Sequence, residues 1–327
     1  MTIFQKIKEP IFLKESKNAE EQIEKLKALK PNLNEEGQTL LEQDIAFLEY
    51  GIAGEKNIEF ELKNSHMPMY ILHDIYLKEG DLSAQIDYLV FTNKLCFIIE
   101  CKNLYGNIEI NNAGDFIRVT EYRGRKQKVG IYSPITQNQR HMDLMKKIRI
   151  NSRGNKITQL ISEKYFHTGY KPIVVLSNPK TILNAKFAAK EIKDKVIRAD
   201  QLVKYIKDAN KASKESIVSE KTMRDRAQFY LNKHKDVVKD YTKKYETYKL
   251  EKSDTDLFGE LKAYRLNKSR EEKIRAYYIF SDKQLEDLVS KMPRTNIELQ
   301  SVDGFGKIKA EKYGNDILKI IQPYLVD

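Results

Sequence analysis

Apolar positions near the start of the chain recur at helical spacing. Residues 1–33 are charged and predict a short N-terminal arm with one helix around Ala19–Leu29. Between Glu35 and about Leu62, apolar residues recur every three or four positions, which predicts a helix with one buried face. The residues that set this period are Leu40, Leu41, Ile45, Leu48 and Ile52. Gly51 and Gly54 interrupt the helix and mark either a bend or a point of close packing.

The pattern changes to strands after residue 68. Five short runs are rich in Ile, Val, Tyr and Phe and are separated by Gly, Asn and Asp, which is typical of strands joined by turns. They are Met69–Leu77, Gln85–Thr92, Leu95–Lys102, Asn107–Ile110 and Phe116–Tyr122. Ser133 and Pro134 then open a helix that runs to about Ile150, and Lys171–Leu176 has the composition of a buried strand. The mixture of strands and helices predicts one α/β domain over residues 34–210.

The last third of the chain is helical in pattern. Residues 211–253 are strongly charged and predict a helical linker. Three tyrosines recur at helical spacing within it, at Tyr241, Tyr245 and Tyr248. We interpret this stripe as a packed face, and the alternative is an aromatic and lysine platform for nucleic acid. Residues 254–327 predict a second domain that is small and all-α.

Composition narrows the classes of function. The formal net charge is +11 and the sequence pI is about 9.2, which favours polyanionic partners because Lys and Arg displace counterions from phosphate backbones. No apolar stretch reaches the ~20 residues that a membrane span needs. The N-terminus lacks the apolar run of a signal peptide. Cys96 and Cys101 fall on opposite faces of one predicted strand and do not bridge, and such free thiols indicate a cytoplasmic protein.

The strongest chemical signal is a pair of carboxylates in a predicted hairpin. Two apolar strands flank Asn93 and Lys94, and if these two residues form the turn, Asp87 lies directly across from Glu100. Opposed Cβ atoms of such a pair lie ~4.5–5.5 Å apart, and two like charges at that distance are destabilising. Lys102 falls on the same face as Glu100 because side chains alternate along a strand.

A divalent cation bound between Asp87 and Glu100 would compensate this repulsion. The apolar run Phe97–Ile99 marks the second strand as internal, where a carboxylate without a partner is costly. Hard oxygen ligands of this kind suit Mg²⁺ or Mn²⁺. The alternative is an ordinary salt bridge between Lys102 and one of the carboxylates. The apolar setting and the opposed aspartate favour the metal site.

The arrangement of an aspartate strand followed by Glu-x-Lys in a central strand resembles the motif of PD-(D/E)XK nucleases. The wider pattern resembles the NERD, or nuclease-related, domain, which has a Gly-x-x-Gly-Glu helix, an Ile-Asp strand, an Ile-Glu-x-Lys-Asn strand with a following Gly, and a later Pro-x-x-Gln helix. The matching residues are Gly51, Gly54, Glu55, Ile86, Asp87, Ile99, Glu100, Lys102, Asn103, Gly106, Pro134 and Gln137. All four elements occur in order, with the mild departure that Ser133 stands where Asn often precedes the Pro.

The resemblance implies a restriction-endonuclease-like mixed sheet flanked by helices, and it implies roles for five residues. Asp87 and Glu100 would be the main metal ligands, and Glu55 would approach the metal from the first helix. Lys102 would orient the attacking water or stabilise the pentavalent phosphate, and Gln137 would line the site. Taken alone, Glu55 fits a solvated helix face and Gln137 a surface position equally well, so both rest on the resemblance.

The C-terminal region is similar to an HRDC domain, a small helical bundle found in RecQ-type helicases and RNase D. The features that carry the similarity are Leu257, Leu261, Arg265, Tyr278, Ile279, Phe280, Ser281, Asp282, Leu285, Pro293, Leu299, Gly304, Phe305, Gly306, Lys309, Tyr313, Gly314 and Ile317. The similarity covers residues 256–321 and implies nucleic-acid binding. Gly304 and Gly306 predict a tight turn whose N–H groups meet a phosphate. The lysines Lys307, Lys309 and Lys312 would flank it, and a solvated helix face is the alternative for them.

These features predict a metal-dependent nuclease that hydrolyses phosphodiester bonds, with DNA as the favoured substrate and the HRDC-like domain holding it. The alternatives are a non-catalytic nucleic-acid-binding adaptor and a scaffold that recruits a helicase. The sequence has no Walker A motif, so any helicase motor would belong to another chain. The five histidines lack zinc spacing, and His141, one helical turn after Gln137, predicts a surface position with a phosphate contact as the alternative.

Overall fold

The computed structural model describes residues 7–237, 240–249 and 254–325. The chain divides into two compact units, Met1–Pro31 with Glu35–Glu246, and Asn32–Asn34 with Thr247–Asp327. They are called the α/β unit and the helical unit below. Residues 1–6, 238–239, 250–253 and 326–327 fall in the predicted arm, linker and HRDC-like domain and lie outside the described residues.

The strands described in the α/β unit form two sheets. Their bounds in chain order are β1 Pro10–Lys14, β2 Met69–Glu79, β3 Leu82–Phe91, β4 Cys96–Lys102, β5 Asn107–Ile110, β6 Phe116–Tyr122, β7 Arg125–Ile131, β8 Tyr170–Leu176, β9 Leu183–Asn184 and β10 Val196–Arg198. The larger sheet is mixed, in the order β1-β2-β3-β4-β8-β10, and the smaller has the order β7-β6-β5-β9. β4 therefore lies inside the larger sheet, as the apolar run Phe97–Ile99 predicts.

Helices cover both faces of the larger sheet. Those described in the α/β unit are α1 Asn18–Leu29, α2 Glu35–Lys63, α3 Pro134–Asn151, α4 Lys156–Gly169, α5 Lys190–Lys193, α6 Leu202–Ala212 and α7 Glu220–Leu231. Ile58 of α2 and Ile206 of α6 pack in the core on one face, and Met145 of α3 and Tyr230 of α7 pack in the core on the other. The α/β fold class is confirmed, because each apolar sheet face is covered by helices.

The hairpin between β3 and β4 has the predicted register. Tyr88 lies across from Ile99, and the remaining pairs follow in step to the turn. Because side chains alternate along a strand, this register directs Tyr88 and Ile99 into the same core layer. It also brings Asp87 and Glu100 to the same end of the hairpin, where the apolar runs stop.

Two charged segments contain packed elements that the sequence does not reveal. The predicted arm contributes β1, which pairs in parallel with β2. The predicted linker contains α7, whose apolar side chains Met223, Ala227 and Tyr230 are buried in the core. The charged residues around them hide this one-sided apolar pattern, so the sequence predicts a linker where the structure has a helix packed on the sheet.

Tyr245 and Tyr248 of the predicted tyrosine stripe lie in a short 3-10 helix, Lys243–Tyr248, and Tyr241 precedes it, so the stripe does not lie on a long α-helix. Tyr245 is buried, and its hydroxyl donates a hydrogen bond to Asp44 of α2. The interpretation of the stripe as a packed face is therefore confirmed for Tyr245.

The helical unit is a small bundle around one apolar core. Its described helices are α8 Asp254–Glu271, α9 Ala276–Ile279, α10 Asp282–Lys291, α11 Asn296–Leu299 and α12 Lys307–Ile321. Ser281 caps α10 and accepts a hydrogen bond from Gln284 N–H, while the Gln284 side chain accepts one from Ser281 N–H. Within the part of the chain that the structure describes, no helix in either unit has the length and apolar content of a membrane span.

Candidate active site

Asp87 lies where strands β3 and β4 separate. The β3–β4 ladder ends at Tyr88 and Ile99, so Asp87 and Glu100 do not form the direct pair that the sequence predicts. The Asp87 carboxylate instead accepts a hydrogen bond from Cys101 N–H, at 2.6 Å from Oδ2. Burial, and then the nearby charges of Glu100 and Glu55, raise the pKa of Asp87 well above its ordinary value.

Glu100 is the most deeply buried carboxylate of the site. Its side chain is 2% exposed, and Oε1 accepts a hydrogen bond from Lys102 Nζ at 2.5 Å. The other oxygen, Oε2, lies 3.4 Å from His141 Nδ1, and neither atom has a hydrogen-bond partner among the described residues. Burial raises the pKa of Glu100, and Lys102 offsets part of that rise. Glu100 therefore keeps one buried oxygen available for a further ligand.

His141 does not occupy the predicted surface position. It lies on α3 in the buried layer beside Glu100. Burial, and then the positive charge of Lys102, lower the pKa of His141 to about 4, so the ring is neutral at physiological pH. A phosphate contact would need a charged or exposed ring, and this buried, neutral ring offers neither.

Lys102 links the carboxylates to helix α3. Its Nζ lies 3.2 Å from Oε1 of Gln137, in addition to its bond with Glu100. The neighbouring Asn138 donates from Nδ2 to the carbonyls of Ile98 and Ile173, at 2.8 and 2.9 Å, on adjacent strands β4 and β8. These two bonds fix the N-terminal part of α3 on the sheet, and they therefore hold Gln137 beside Lys102.

Glu55 approaches the site from α2 and is held by a histidine that the sequence analysis missed. Glu55 Oε2 lies 2.9 Å from His73 Nε2, and the Tyr88 hydroxyl donates to the Glu55 carbonyl. The His73 ring stacks on Tyr88 with centroids 4.5 Å apart. His73 Nδ1 accepts from Ser16 N–H at 3.4 Å, so Nε2 carries the proton that is donated to Glu55. His73 is one residue of an alternating strand, and the sequence gives no signal that sets it apart.

The close approach of α2 to the strand ends depends on Gly54. A Cβ atom at this position would lie 2.5 Å from both Asn103 Cβ and Ser177 Oγ. A Cβ at Gly51 would meet nothing within 4 Å. Of the two interpretations of the helical glycines, close packing is therefore correct for Gly54. This packing is what brings the following residue, Glu55, to the edge of the site.

All five residues predicted for the active site line one cleft of about 750 Å³. They are Glu55, Asp87, Glu100, Lys102 and Gln137. Arg118 of β6 lines the same cleft, as do the aromatic residues Phe47, Tyr50 and Tyr105. The cleft thus combines carboxylates, cations and aromatic rings.

The residues in the cleft fit a cation that is held by two carboxylates. Among the described residues, no group of three or more His, Cys, Asp or Glu side chains is arranged to hold a metal ion. The Glu55 carboxylate is already bonded to His73, which leaves Asp87 and Glu100. The buried Oε2 of Glu100 lacks a partner, and the two carboxylates repel each other. Mg²⁺ suits such a site because it is commonly bound through one or two carboxylates and keeps several waters.

Some features of the predicted phosphate-binding turn in the helical unit suit a phosphate, and others do not. Gly304 adopts a φ of +73°, which favours glycine, and Gly306 is the N-cap of α12. Lys307 is exposed beyond the turn, whereas Lys309 lies over the Phe305 ring. Lys312 pairs with a glutamate at 2.6 Å, so its charge is largely matched within the unit. The turn is therefore the open part of this surface, because Lys307 also has an acidic neighbour, with its Nζ 4.0 Å from Glu311.

The fold and the cleft together define a two-part protein with a nuclease-like α/β unit and a helical bundle. The family model of the nuclease-related domain matches residues 50–177, and that of the HRDC domain matches residues 254–321. The chain therefore contains a nuclease-related domain followed by a C-terminal HRDC domain. The first domain indicates a nuclease-related function, and the second indicates nucleic-acid binding.

Curated relatives match the chain over short stretches. ATP-dependent DNA helicase RecQ of Haemophilus influenzae is 35% identical over 71 residues, which are 22% of this chain and 12% of the helicase. ATP-dependent DNA helicase UvrD2 of Mycobacterium tuberculosis is 32% identical over 69 residues, which are 21% of this chain and 10% of that protein. The chain thus spans about a tenth of the length of these relatives. A solved structure, D. radiodurans RecQ HRDC domain 3, is 33% identical and aligns over 23% of this chain and 100% of its own, with a TM-score of 0.22.

Proposed function

We propose that this protein is a metal-dependent nuclease that hydrolyses phosphodiester bonds in DNA. The observation that carries the proposal is the single cleft in which Asp87, Glu100 and Lys102 meet, with one buried Glu100 oxygen left without a partner. Asp87 and Glu100 would hold Mg²⁺ or Mn²⁺. The bound cation supplies a polarised water and a counter-charge for the phosphate.

The other residues of the cleft have separate tasks in this mechanism. Lys102 carries the positive charge nearest the carboxylates and stabilises charge that develops on the phosphate oxygens. Gln137 accepts from Lys102 and keeps its ammonium group at the mouth of the site. His73 holds the Glu55 carboxylate by a hydrogen bond, so that Glu55 stays aimed at the cleft. Glu55 would then act on the attacking water and not as a ligand of the cation.

The HRDC domain would hold the substrate near its turn at Gly304–Gly306. The N–H groups at the start of α12 are able to meet a phosphate, and Lys307 adds a positive charge beside them. The names of the curated relatives support DNA as the nucleic acid, since each is a DNA helicase. A helicase that supplies a DNA strand would be a suitable partner for a nuclease whose HRDC domain holds the substrate.

Metal dependence of cleavage tests the proposal. The purified chain is incubated with a mixture of single- and double-stranded DNA in Mg²⁺, in Mn²⁺ or in EDTA. We expect cleavage with either metal and none in EDTA, because without the cation no polarised water is available for hydrolysis. If no DNA substrate is cut in either metal, the protein is instead an adaptor that binds nucleic acid or a helicase.

The acidic site is expected to destabilise the metal-free protein above the pH at which its carboxyl groups ionise. The pKa of Asp87 is raised above its ordinary value of 3.8, so the folded state favours the protonated form. The stability that this group contributes is present below pH 3.8 and is lost as the pH rises through the raised pKa. In EDTA, Asp87→Asn should therefore raise the melting temperature at pH 8, with a gain that disappears toward pH 4.

Addition of Mn²⁺ provides the control for this pH effect. The ion should stabilise the wild type at pH 8 and have little effect on Asp87→Asn, because the variant lacks one of the two ligands. Equal melting temperatures for the two proteins across the pH range would contradict the proposed repulsion at Asp87.

A further inference from the structure

Three aromatic side chains are exposed along the cleft of the nuclease-related domain. Phe47 is 75% exposed, Tyr50 is 38% exposed and Tyr105 is 65% exposed. Phe47 and Tyr50 lie on α2, and Tyr105 lies three positions after Lys102, just beyond the end of β4. Rings from two elements therefore flank the carboxylates and the lysine of the site.

The rings are held differently, and two of them have open faces. The Tyr50 hydroxyl accepts a hydrogen bond from Asn178, and its carbonyl accepts one from Asn103, so Tyr50 is fixed against the domain. Neither Phe47 nor Tyr105 stacks on another ring or on a cation in the described part of the chain. A single exposed ring is common on protein surfaces. Two open rings from different elements of one cleft, beside catalytic-type residues, fit a ligand with flat apolar faces.

The same cleft contains an arginine side chain that can bind a phosphate group. Arg118 of β6 lines it, and the Nε atom of Arg118 is buried without a hydrogen-bond partner among the described residues. The hairpin of β6 and β7 that carries Arg118 continues with Arg125 and Lys126, both of them exposed. Phosphate groups would satisfy these cations, and bases would cover the rings.

We propose that the cleft binds a single-stranded segment of nucleic acid, with unpaired bases stacked on Phe47 and Tyr105 and a neighbouring phosphate held by Arg118. Stacking needs a base whose face is free, which a paired duplex does not present to a side chain in a cleft. This inference rests on the proposed nuclease function and specifies its substrate as a strand that is unpaired at the cut.

Tryptophan fluorescence tests the stacking directly, because the natural sequence contains no Trp. Tyr105→Trp and Phe47→Trp each place the only indole of the chain at a proposed stacking position. Phe60→Trp is the matched control, since Phe60 is 65% exposed on the same helix α2 and does not line this cleft. Each full-length protein is titrated with a 15-nucleotide oligo-dT and with a 15-base-pair duplex in EDTA, where no cleavage occurs.

The expected result is that oligo-dT quenches the emission of Tyr105→Trp and Phe47→Trp but not that of Phe60→Trp, and that the duplex quenches none of them. The second readout is the affinity for oligo-dT after one ring has been removed. Tyr105→Leu and Phe47→Leu should each weaken oligo-dT binding by about 10-fold, whereas Phe60→Leu should bind as the wild type does. Binding of oligo-dT by the HRDC domain does not produce this pattern, because that domain contains no altered residue.

Equal quenching at all three positions, or quenching by the duplex as strong as that by oligo-dT, would overturn the inference. These outcomes are separate from the failure of the proposed function. If the protein cuts DNA with metal but the rings respond to neither ligand, the nuclease proposal stands and the stacking proposal fails. If the rings respond to oligo-dT but no metal supports cleavage, the cleft binds single strands without hydrolysing them.

Discussion

Replacing Lys102 with Met is expected to reduce nuclease turnover by about 10²–10³-fold, the loss typical of removing one group that stabilises transition-state charge. Lys102 is the cation that contacts Glu100, and it is held from the other side by Gln137. A Met side chain keeps the length and loses the charge. Single-turnover cleavage at saturating DNA measures the effect, and the affinity for DNA should change much less than the rate.

Two further variants separate the chemistry of Lys102 from its contribution to stability. Lys102→Met leaves buried Glu100 without its ion partner, which is destabilising in itself. The double variant Glu100→Gln/Lys102→Met removes both charges, and it should regain stability without regaining activity. Lys207→Met, on the exposed side of α6, is the charge-matched control and should cleave normally. A Lys102→Met protein that cleaves as fast as this control would show that Lys102 takes no part in the reaction.

Replacing Gly54 with Ala is expected to destabilise the α/β unit by about 1–3 kcal/mol, the usual cost of an inserted methyl group in a packed region. The new Cβ would lie 2.5 Å from Asn103 Cβ and Ser177 Oγ, and neither strand end can move without disturbing β4 and β8. Because Glu55 follows directly, α2 would also carry its carboxylate away from the cleft. Chemical denaturation gives the stability change, and the cleavage assay gives the activity.

Gly51→Ala is the matched control on the same helix, and its effect on the stability of the α/β unit should have the opposite sign. Its Cβ would meet nothing within 4 Å, so only the better helix propensity of Ala remains. The free energy of unfolding is expected to rise by about 0.5–1 kcal/mol. If Gly54→Ala were as stable as Gly51→Ala, the close contact between α2 and the strand ends would not contribute to this fold.

The register of the hairpin was predictable from the sequence because it is set locally. Two apolar runs with a two-residue turn allow one pairing that keeps both apolar faces inward, and the observed pairing of Tyr88 with Ile99 follows it. The departure at Asp87 was not predictable. The carboxylate turns to the Cys101 N–H because the ladder ends one pair earlier, and that depends on how β3 and β4 diverge in three dimensions.

The partners of the candidate site come from distant segments, which is why the sequence does not indicate them. His73 holds Glu55 only because the fold brings α2 beside β2. Arg118 reaches the cleft from a second sheet, and strand β7 beside it has almost no buried face and therefore no apolar alternation. Asp87, Glu100 and Lys102 follow from the pairing of the predicted hairpin, whereas Glu55 and Gln137 were identified by the resemblance alone. The exposed aromatic rings were missed because Phe47 breaks no pattern on an amphipathic helix.

Cleavage by the wild type and by Glu100→Ala, compared under identical metal conditions, tests the central claim most directly. DNA binding and thermal unfolding are measured on the same samples. The account predicts metal-dependent cleavage by the wild type that disappears in Glu100→Ala, while the variant stays folded and still binds DNA. Equal cleavage by the two proteins would contradict the assignment of the cleft around Asp87 and Glu100 as the catalytic site.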